Sequence, residues 1–195
     1  MGQGDLEKTS SIEPFVLGLT GLSGAGKTFF VDALRTRLGD AVTVVGFDDY
    51  YKPLEMQHVD EFGEANYDLP SALFSERFHE DLMSLIAYRP VLIKKYQFEN
   101  YDAPDRTEIV SPAPILLVEG LFVMDYVAVD SLLDYRIFID CDLELCFQRR
   151  KDRDIRERGI PLKRSLHQWE YHLMPAFYNH ILPHKNRCDL VIENN

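Results

Sequence analysis

The sequence predicts an α/β fold with a doubly wound parallel sheet. Short apolar runs alternate with longer segments of helical periodicity, as in chains that build βαβ units. The first run leads into a glycine-rich loop and a helical pattern, which indicates strand, loop and helix. The runs are too continuous for strands with one solvated face, so we expect buried strands. At 195 residues and 46% hydrophobic content, the chain has the size of one domain.

The first predicted strand covers 15–20, and the first predicted helix runs from Lys27 to about Leu38. Two β-prone segments around a polar, proline-containing loop predict a hairpin flap inserted at about 89–111. We expect a single domain over 15–195 that follows a flexible segment at 1–14. The remaining predicted strands are 42–47, 115–119, 135–140 and 189–192, and the remaining predicted helices are 71–88, 143–156 and 165–181.

Composition limits the classes of partner. The net charge of −11 argues against binding to nucleic acid, because phosphate backbones are held by a surplus of Lys and Arg, so we expect a small-molecule partner. Cys141, Cys146 and Cys188 have neither the spacing of a metal site nor an even number, which predicts free thiols. With no signal-peptide pattern and no apolar run near ~20 residues, we expect a cytoplasmic protein without a membrane partner.

A glycine-rich loop gives the strongest chemical signal. It matches the pattern G-x-x-x-x-G-K-[ST] at every fixed position, between the first predicted strand and helix. Its glycines let backbone N–H groups point at phosphate oxygens. Lys27 would reach the β- and γ-phosphates, and the Thr28 hydroxyl would ligate Mg²⁺. We therefore predict binding of ATP, with GTP as an alternative, and Mg²⁺ by Gly21, Leu22, Ser23, Gly24, Ala25, Gly26, Lys27 and Thr28.

Acidic residues follow three predicted strands, where ligands bind in open α/β sheets. Asp48 follows the second strand and Glu119 ends the third. Transfer of phosphate to an alcohol needs a carboxylate near the acceptor hydroxyl and oxygen ligands for Mg²⁺, which makes these two the candidates. Asp140 and Asp142 flank the end of the fourth strand, and for them helix or turn capping is the favoured interpretation.

Positive charge is concentrated in one segment: residues 149–164 hold eight of the 21 Lys and Arg residues. At helical spacing, Arg150 and Arg153 continue an inward-facing stripe, and Arg158 precedes Gly159. Arginines over a phosphoryl group neutralise its charge, so 149–164 is predicted to be a lid that excludes water. The alternative is a solvated helix with i,i+4 pairs such as Arg150 with Asp154.

Two segments offer contacts for the molecule that accepts the phosphate. Asp68 could accept hydrogen bonds from sugar hydroxyls, and Tyr96 and Phe98 in the flap offer flat faces for a base. Packing within the flap explains these aromatic residues equally well. A nucleotide-binding module without catalysis remains an alternative from another functional class.

The sequence resembles the uridine kinase (uridine–cytidine kinase) family of P-loop enzymes over roughly residues 15–193. The resemblance implies a five-stranded P-loop kinase sheet, a homo-oligomer and phosphorylation of a nucleoside 5′-hydroxyl. The blocks that support it are 21–28, Asp48 to Lys52, Tyr67-Asp68-x-Pro70, Val118-Glu119-Gly120, Arg149 to Gly159, Gln168-Trp169, and Pro175-x-Phe177 through Pro183-x-Lys185.

The same resemblance implies roles for individual residues. Asp48 would act as the base, and Thr28, Asp48 and Glu119 would surround Mg²⁺. Arg153 and Arg158 would act with Lys27 on the phosphates. The implied substrate-binding residues are Tyr51, Asp68, Tyr96, Phe98, Tyr101, Arg150 and Gln168.

Two positions depart from the family pattern. Tyr101 stands where the family has a flap His, and Ile160 stands where an Arg follows Arg158-Gly159. Both positions help to hold the base or the sugar in the family, so the preferred nucleoside stays open. Nicotinamide riboside kinase is a rival, because the block from Asp48 to Pro53 resembles that family too. Phosphoribulokinase and pantothenate kinase relatives fit less well, since an anionic acceptor calls for more basic residues.

Overall fold

The computed structural model describes residues 13–97 and 106–195. Its centre is a five-stranded parallel sheet of β1 (Phe15–Gly21), β2 (Val42–Gly46), β7 (Ile115–Glu119), β8 (Tyr135–Asp140) and β9 (Leu190–Glu193). The strand order is β2-β7-β1-β8-β9. This confirms the predicted fold class.

The register of the sheet places functional segments at one edge. Strand β1 pairs with β7 and β8, and Gly46 at the end of β2 lies beside Glu119 at the end of β7. Loops that leave the carboxyl ends of these strands therefore converge. The helices are α1 (Lys27–Leu38), α2 (Ser75–Ile86), α3 (Val127–Asp130), α4 (Leu143–Arg156), α5 (Leu162–His167) and α6 (Met174–Ala176).

Three predicted boundaries were wrong. Phe47 leaves β2 and opens a 3₁₀ turn that ends at Tyr50. The helix predicted at 71–88 begins only at Ser75, because Pro70–Ala72 forms a 3₁₀ turn and Leu73 is extended in a bridge to Tyr51. The last helical region begins at Leu162 and continues as wider π-helical turns, Gln168–Leu173 and Phe177–Ile181, on either side of α6.

Two hairpins stand outside the main sheet. The predicted flap is present as β5 (Val91–Lys94) paired antiparallel with β6 (Thr107–Val110). A second hairpin, β3 (His58–Val59) with β4 (Ala65–Asn66), was not predicted. Its two-residue strands are too short to show the period-two pattern on which strand prediction depends.

The core lies on both faces of the sheet. Leu116, Leu117 and Val118 of β7 are fully buried, as expected for an inner parallel strand. Phe47 stacks on Phe78 of α2 with ring centroids 4.2 Å apart, which fixes the turn after β2 against the helix layer. In the last helical region Leu173, Phe177 and Ile181 are buried, and Trp169 packs partly buried against the core.

The three cysteines are free thiols, as predicted. Within 13–97 and 106–195, no helix is both long enough and apolar enough to cross a membrane. The predicted flexible segment at 1–14 lies almost wholly outside the described residues.

Candidate active site

The predicted phosphate loop connects β1 to α1 and approaches other backbone closely. Gly24 and Gly26 have φ values of 87° and 102°, in the region that favours glycine. A Cβ on Gly24 would lie 2.4 Å from the Cys146 carbonyl oxygen in α4. The Asn194 side chain donates a hydrogen bond to the Ala25 carbonyl at 2.7 Å. The loop is thus held between α4 and the end of β9, and a Cβ at Gly24 would disrupt it.

The loop borders a cavity of about 440 Å³ with five of its eight residues: Ser23, Gly24, Gly26, Lys27 and Thr28. The other three, Gly21, Leu22 and Ala25, do not border it. The side chains of Leu22 and Ala25 are buried in the core. These two residues support the loop through packing, and any contact with phosphate would come from their backbone.

Lys27 lies at the base of the cavity. Its Nζ donates hydrogen bonds to the carbonyls of Gly21, at 2.9 Å, and Leu22, at 3.3 Å. Burial lowers the pKa of Lys27, although the carboxylates of Glu119 and Asp48 oppose this shift. The ammonium group is therefore held close to the loop backbone, where phosphate oxygens would compete for it.

Two acidic side chains face Lys27 across the cavity. Asp48 lies in the turn after β2, and Glu119 ends β7. The Asp48 carboxylate is open to the cavity but surrounded by its walls, and this burial raises its pKa despite nearby Lys27 and Arg158. Burial raises the pKa of Glu119 to about 7, and the charge of Asp48 adds to the shift. Two enclosed carboxylates, one of which raises the pKa of the other, are a suitable environment for a cation.

These residues fit Mg²⁺. Asp48 and Glu119 supply carboxylate oxygens, and Thr28 supplies a hydroxyl on the same cavity. Mg²⁺ binds such hard oxygen ligands and keeps several waters when it also contacts phosphates. The donor set therefore suits a magnesium–nucleotide complex, and the metal role of these three residues stays a prediction.

Arg150 joins α4 to the opposite wall of the cavity. It is buried in α4, and its guanidinium pairs with Asp68 at 3.2 Å and Asp154 at 3.4 Å. Burial lowers its pKa, but the two carboxylates outweigh this and leave the pKa raised. The structure thus brings together Asp68 and Arg150, two predicted substrate-binding residues that are 82 positions apart in sequence.

Arg153 and Arg158 face the phosphate end of the cavity. Arg153 donates to the Ser23 hydroxyl at 3.2 Å, and its buried Nε has no hydrogen-bond partner among the described residues. Burial and the charge of Arg158 lower the pKa of Arg153. Both guanidinium groups lie 3.4 Å from Asp154. The two arginines are therefore held beside the phosphate loop by a shared carboxylate.

Asp154 is the anchor of this arrangement. It is fully buried, contacts three arginines and accepts a hydrogen bond from Ser165 of α5 at 3.3 Å. The sequence offered a solvated i,i+4 pair as an alternative. That alternative was wrong for Arg150 and Asp154, because both are buried.

Replacing Asp154 with Ala should lower the free energy of unfolding by about 3–5 kcal/mol, since it removes the fully buried carboxylate that buried Arg150 and half-buried Arg153 and Arg158 share, and it leaves Arg150 with Asp68 alone among the described residues. The measurement is urea unfolding followed by circular dichroism. Asp152→Ala is the matched control, because Asp152 is an exposed carboxylate on the same helix and should change stability by less than about 0.5 kcal/mol. Equal losses in the two variants would contradict the anchoring role.

Aromatic residues line the far end of the cavity. Tyr51 contacts Tyr96 and Tyr67, with ring centroids 5.1 Å and 5.6 Å apart. Gln168 is buried and borders the same region. The flap is tied down here because Asp49 pairs with Lys95 and accepts a hydrogen bond from the Tyr96 backbone at 3.1 Å. Predicted substrate residues Phe98 and Tyr101 lie outside the described residues.

Sequence reasoning missed five cavity residues. Tyr67 and Ala65 precede Asp68, and Arg149 precedes Arg150, so proximity in sequence to predicted residues could have indicated them. For Leu121 and His172 no motif was available. The missed residues are Ala65, Tyr67, Leu121, Arg149 and His172.

Three further residues that the sequence singled out lie outside the cavity. Asp142 is the N-cap of α4 and accepts from the backbone of Glu144 and Leu145, as favoured from sequence. Asp140 pairs with Lys185 at 2.6 Å. Ile160, which departs from the family pattern, is 2% exposed and does not border the cavity.

Comparisons with known proteins identify the family of the chain. A model of the Phosphoribulokinase / Uridine kinase family matches residues 16–195. A uridine kinase from Lactiplantibacillus plantarum is 31% identical over 180 residues, covering 92% of this chain and 86% of the relative. A uridine kinase from Streptococcus agalactiae is 33% identical over 181 residues, covering 92% and 87%.

Solved structures share the fold. A structure described as a possible uridine kinase from Bacillus stearothermophilus has a TM-score of 0.65 at 17% identity, covering 95% of this chain and 91% of that chain. Phosphoribulokinase from Rhodobacter spheroides has a TM-score of 0.66 at 16% identity, covering 93% and 70%. At these identities the likeness concerns the fold alone.

Proposed function

Since the chain belongs to the phosphoribulokinase/uridine kinase family and is an ATP-dependent kinase, we propose that its acceptor is the 5′-hydroxyl of a ribonucleoside, with uridine and cytidine as first candidates. The observation that carries the proposal is a single cavity in which the phosphate loop and Asp48 adjoin a second half built from Asp68, Arg150 and Gln168. A nucleotide-binding module without catalysis would not need the residues of that second half.

At the phosphate end, the charged and hydroxyl groups have three tasks. Asp48 orients the acceptor hydroxyl and takes its proton, because a carboxylate open to the cavity can do both. Lys27, Arg153 and Arg158 neutralise charge on the phosphate oxygens, and the arginines help to exclude water. Thr28, Asp48 and Glu119 would hold Mg²⁺, which when bound supplies further neutralisation of the phosphates.

At the acceptor end, the polar contacts suit a sugar. The Asp68 carboxylate can accept hydrogen bonds from hydroxyl groups, while the guanidinium of Arg150 and the amide of Gln168 can donate them. Tyr51, Tyr67 and Tyr96 form an aromatic wall at this end, with faces suitable for stacking a base.

The aromatic wall also supports a second candidate acceptor, nicotinamide riboside. A cationic ring gains additional attraction from electron-rich aromatic faces, and three tyrosines border this end of the cavity. Basic residues at this end include Arg150, whose charge is already matched by Asp68 and Asp154. An anionic sugar phosphate is therefore a weaker candidate.

The test is ADP release with Mg²⁺-ATP and a panel of acceptors. The panel contains uridine, cytidine, adenosine, nicotinamide riboside, ribulose 5-phosphate and pantothenate. We expect uridine or cytidine to stimulate ADP release most strongly. Preference for ribulose 5-phosphate or pantothenate, or no stimulation by any nucleoside, would contradict the proposal.

A further inference from the structure

His172 is a buried polar side chain that borders the substrate-binding end of the cavity and has an unused hydrogen-bonding atom. It is 2% exposed and borders the cavity together with Gln168, four residues earlier in the same helical region. Its Nε2 lies 2.8 Å from Asp60 Oδ2. Its Nδ1 is buried without a hydrogen-bond partner in the described part of the chain. Leaving such an atom unpaired costs free energy, so a ligand that pairs with it gains affinity.

Asp60 determines which nitrogen of His172 carries the hydrogen. Asp60 lies in the turn between β3 and β4, where its Oδ1 accepts from the backbone N–H groups of Phe62 and Glu64, each at 2.9 Å. Its Oδ2 lies 2.6 Å from His167 Nε2, in addition to the contact with His172. Four donors therefore surround one carboxylate.

These donors keep the carboxylate ionised. Partial burial would raise the pKa of Asp60, but the hydrogen bonds from His167, Glu64, His172 and Phe62 hold it below its usual range. An ionised carboxylate can only accept, so both histidine Nε2 atoms carry hydrogen. In the neutral imidazole of His172, Nδ1 is then an acceptor.

Asp60, His167 and His172 have the composition of a metal site, since their ligand atoms all lie within 4.8 Å of one another. A metal on both Nε2 atoms would move the hydrogen of His172 to Nδ1. There it would be buried without an acceptor from the described residues. The existing contacts instead use all four acceptor positions of Asp60, which favours a hydrogen-bonded anchor over a metal site.

We propose that His172 is a substrate-contacting residue whose Nδ1 accepts a hydrogen bond from a hydroxyl or N–H group of the nucleoside, beside Gln168, with Asp60 fixing its tautomer. The proposal rests on the proposed function, because it concerns the acceptor of that reaction. It assigns His172 a role in selecting among nucleosides by the donor group that each presents.

His172→Gln is the principal test variant. The amide nitrogen of glutamine can replace Nε2 as donor to Asp60, while nothing replaces Nδ1. His167→Gln is the matched control, because His167 contacts the same Asp60 oxygen and does not border the cavity. Steady-state kinetics with the best nucleoside of the panel should show KM for the nucleoside raised about 10-fold in H172Q, with KM for ATP within about twofold. H167Q should leave both values within about twofold.

Nucleoside analogues separate a contact from a structural effect. For uridine, the 2′-deoxy, 3′-deoxy and N3-methyl forms each remove one donor. For cytidine, whose N3 carries no hydrogen, the N4,N4-dimethyl form takes the place of the N3-methyl form. Wild type should discriminate about 10-fold against the analogue that lacks the donor to His172, and H172Q should lose that discrimination whereas H167Q keeps it.

Unchanged discrimination in H172Q, or equal effects of both variants on both substrates, would overturn the role of His172. His172→Asn, whose amide can replace Nδ1 but not Nε2, should recover part of the lost nucleoside affinity; no recovery relative to H172Q would contradict the assignment to Nδ1. Wild-type enzyme that phosphorylates no nucleoside would overturn the proposed function, and the role of His172 with it. Activity of the wild type therefore distinguishes the two failures.

Discussion

Replacing Asp48 with Asn should lower kcat for nucleoside phosphorylation by about 10²-fold or more, while the KM for ATP stays within about threefold. The amide keeps the shape of the side chain, but it cannot take the proton of the acceptor hydroxyl. Initial rates with saturating Mg²⁺-ATP, together with ATP binding by calorimetry, separate the loss of transfer from a loss of nucleotide binding.

Asp49→Asn is the matched control, because the neighbouring carboxylate points elsewhere. Asp49 pairs with Lys95 and accepts from the Tyr96 backbone, and it does not border the cavity. We expect its effect on kcat to stay below about 10-fold, the order of one lost charge-assisted hydrogen bond. Equal losses in the two variants would show that the turn after β2 matters as a scaffold rather than through the Asp48 carboxylate.

Replacing Lys27 with Ala should lower kcat/KM for ATP by about 10²–10³-fold, comparable to removal of one preorganised charge-stabilising donor. Among the described residues, its Nζ donates hydrogen bonds only to loop carbonyls. Its largest interaction should therefore form with the phosphates, during binding and transfer. Steady-state kinetics with varied ATP measures this.

Lys52→Ala serves as the control for a lost lysine charge. Lys52 Nζ donates to the Ser71 carbonyl and does not border the cavity. A change of less than about threefold is expected, as for a surface substitution away from the site. If Lys27→Ala were no more impaired than Lys52→Ala, the loop would not bind the nucleotide phosphates as described.

Local patterns explain why much of the fold and the phosphate end was predictable. The phosphate loop, Asp48 and Glu119 are each tied to the end of an apolar strand, and parallel strands bring their carboxyl ends to one edge. The inward orientation of the Arg150 side chain was predictable, because the helical periodicity continues past Phe147. These inferences need only the period of an element and the position of its end.

Contacts between distant segments were not predictable in the same way. Asp60 and His172 are 112 residues apart, and they meet through a hairpin with two-residue strands that carries no periodic signal. Asp154 has the spacing of a solvated pair, yet it is fully buried and accepts a hydrogen bond from Ser165 of α5. The extent of the single domain, 15–195, and the roles of the site residues, including Phe98 and Tyr101, stay predictions.

The account depends most on the claim that one cavity joins the nucleotide to a ribonucleoside acceptor. Incubation with γ-³²P-labelled ATP, Mg²⁺ and uridine or cytidine, followed by chromatographic separation of the products, tests this directly. The account predicts that the label appears in a nucleoside 5′-monophosphate in amounts equal to the ADP formed. Label found only in inorganic phosphate, or retained in ATP with every nucleoside, would contradict it.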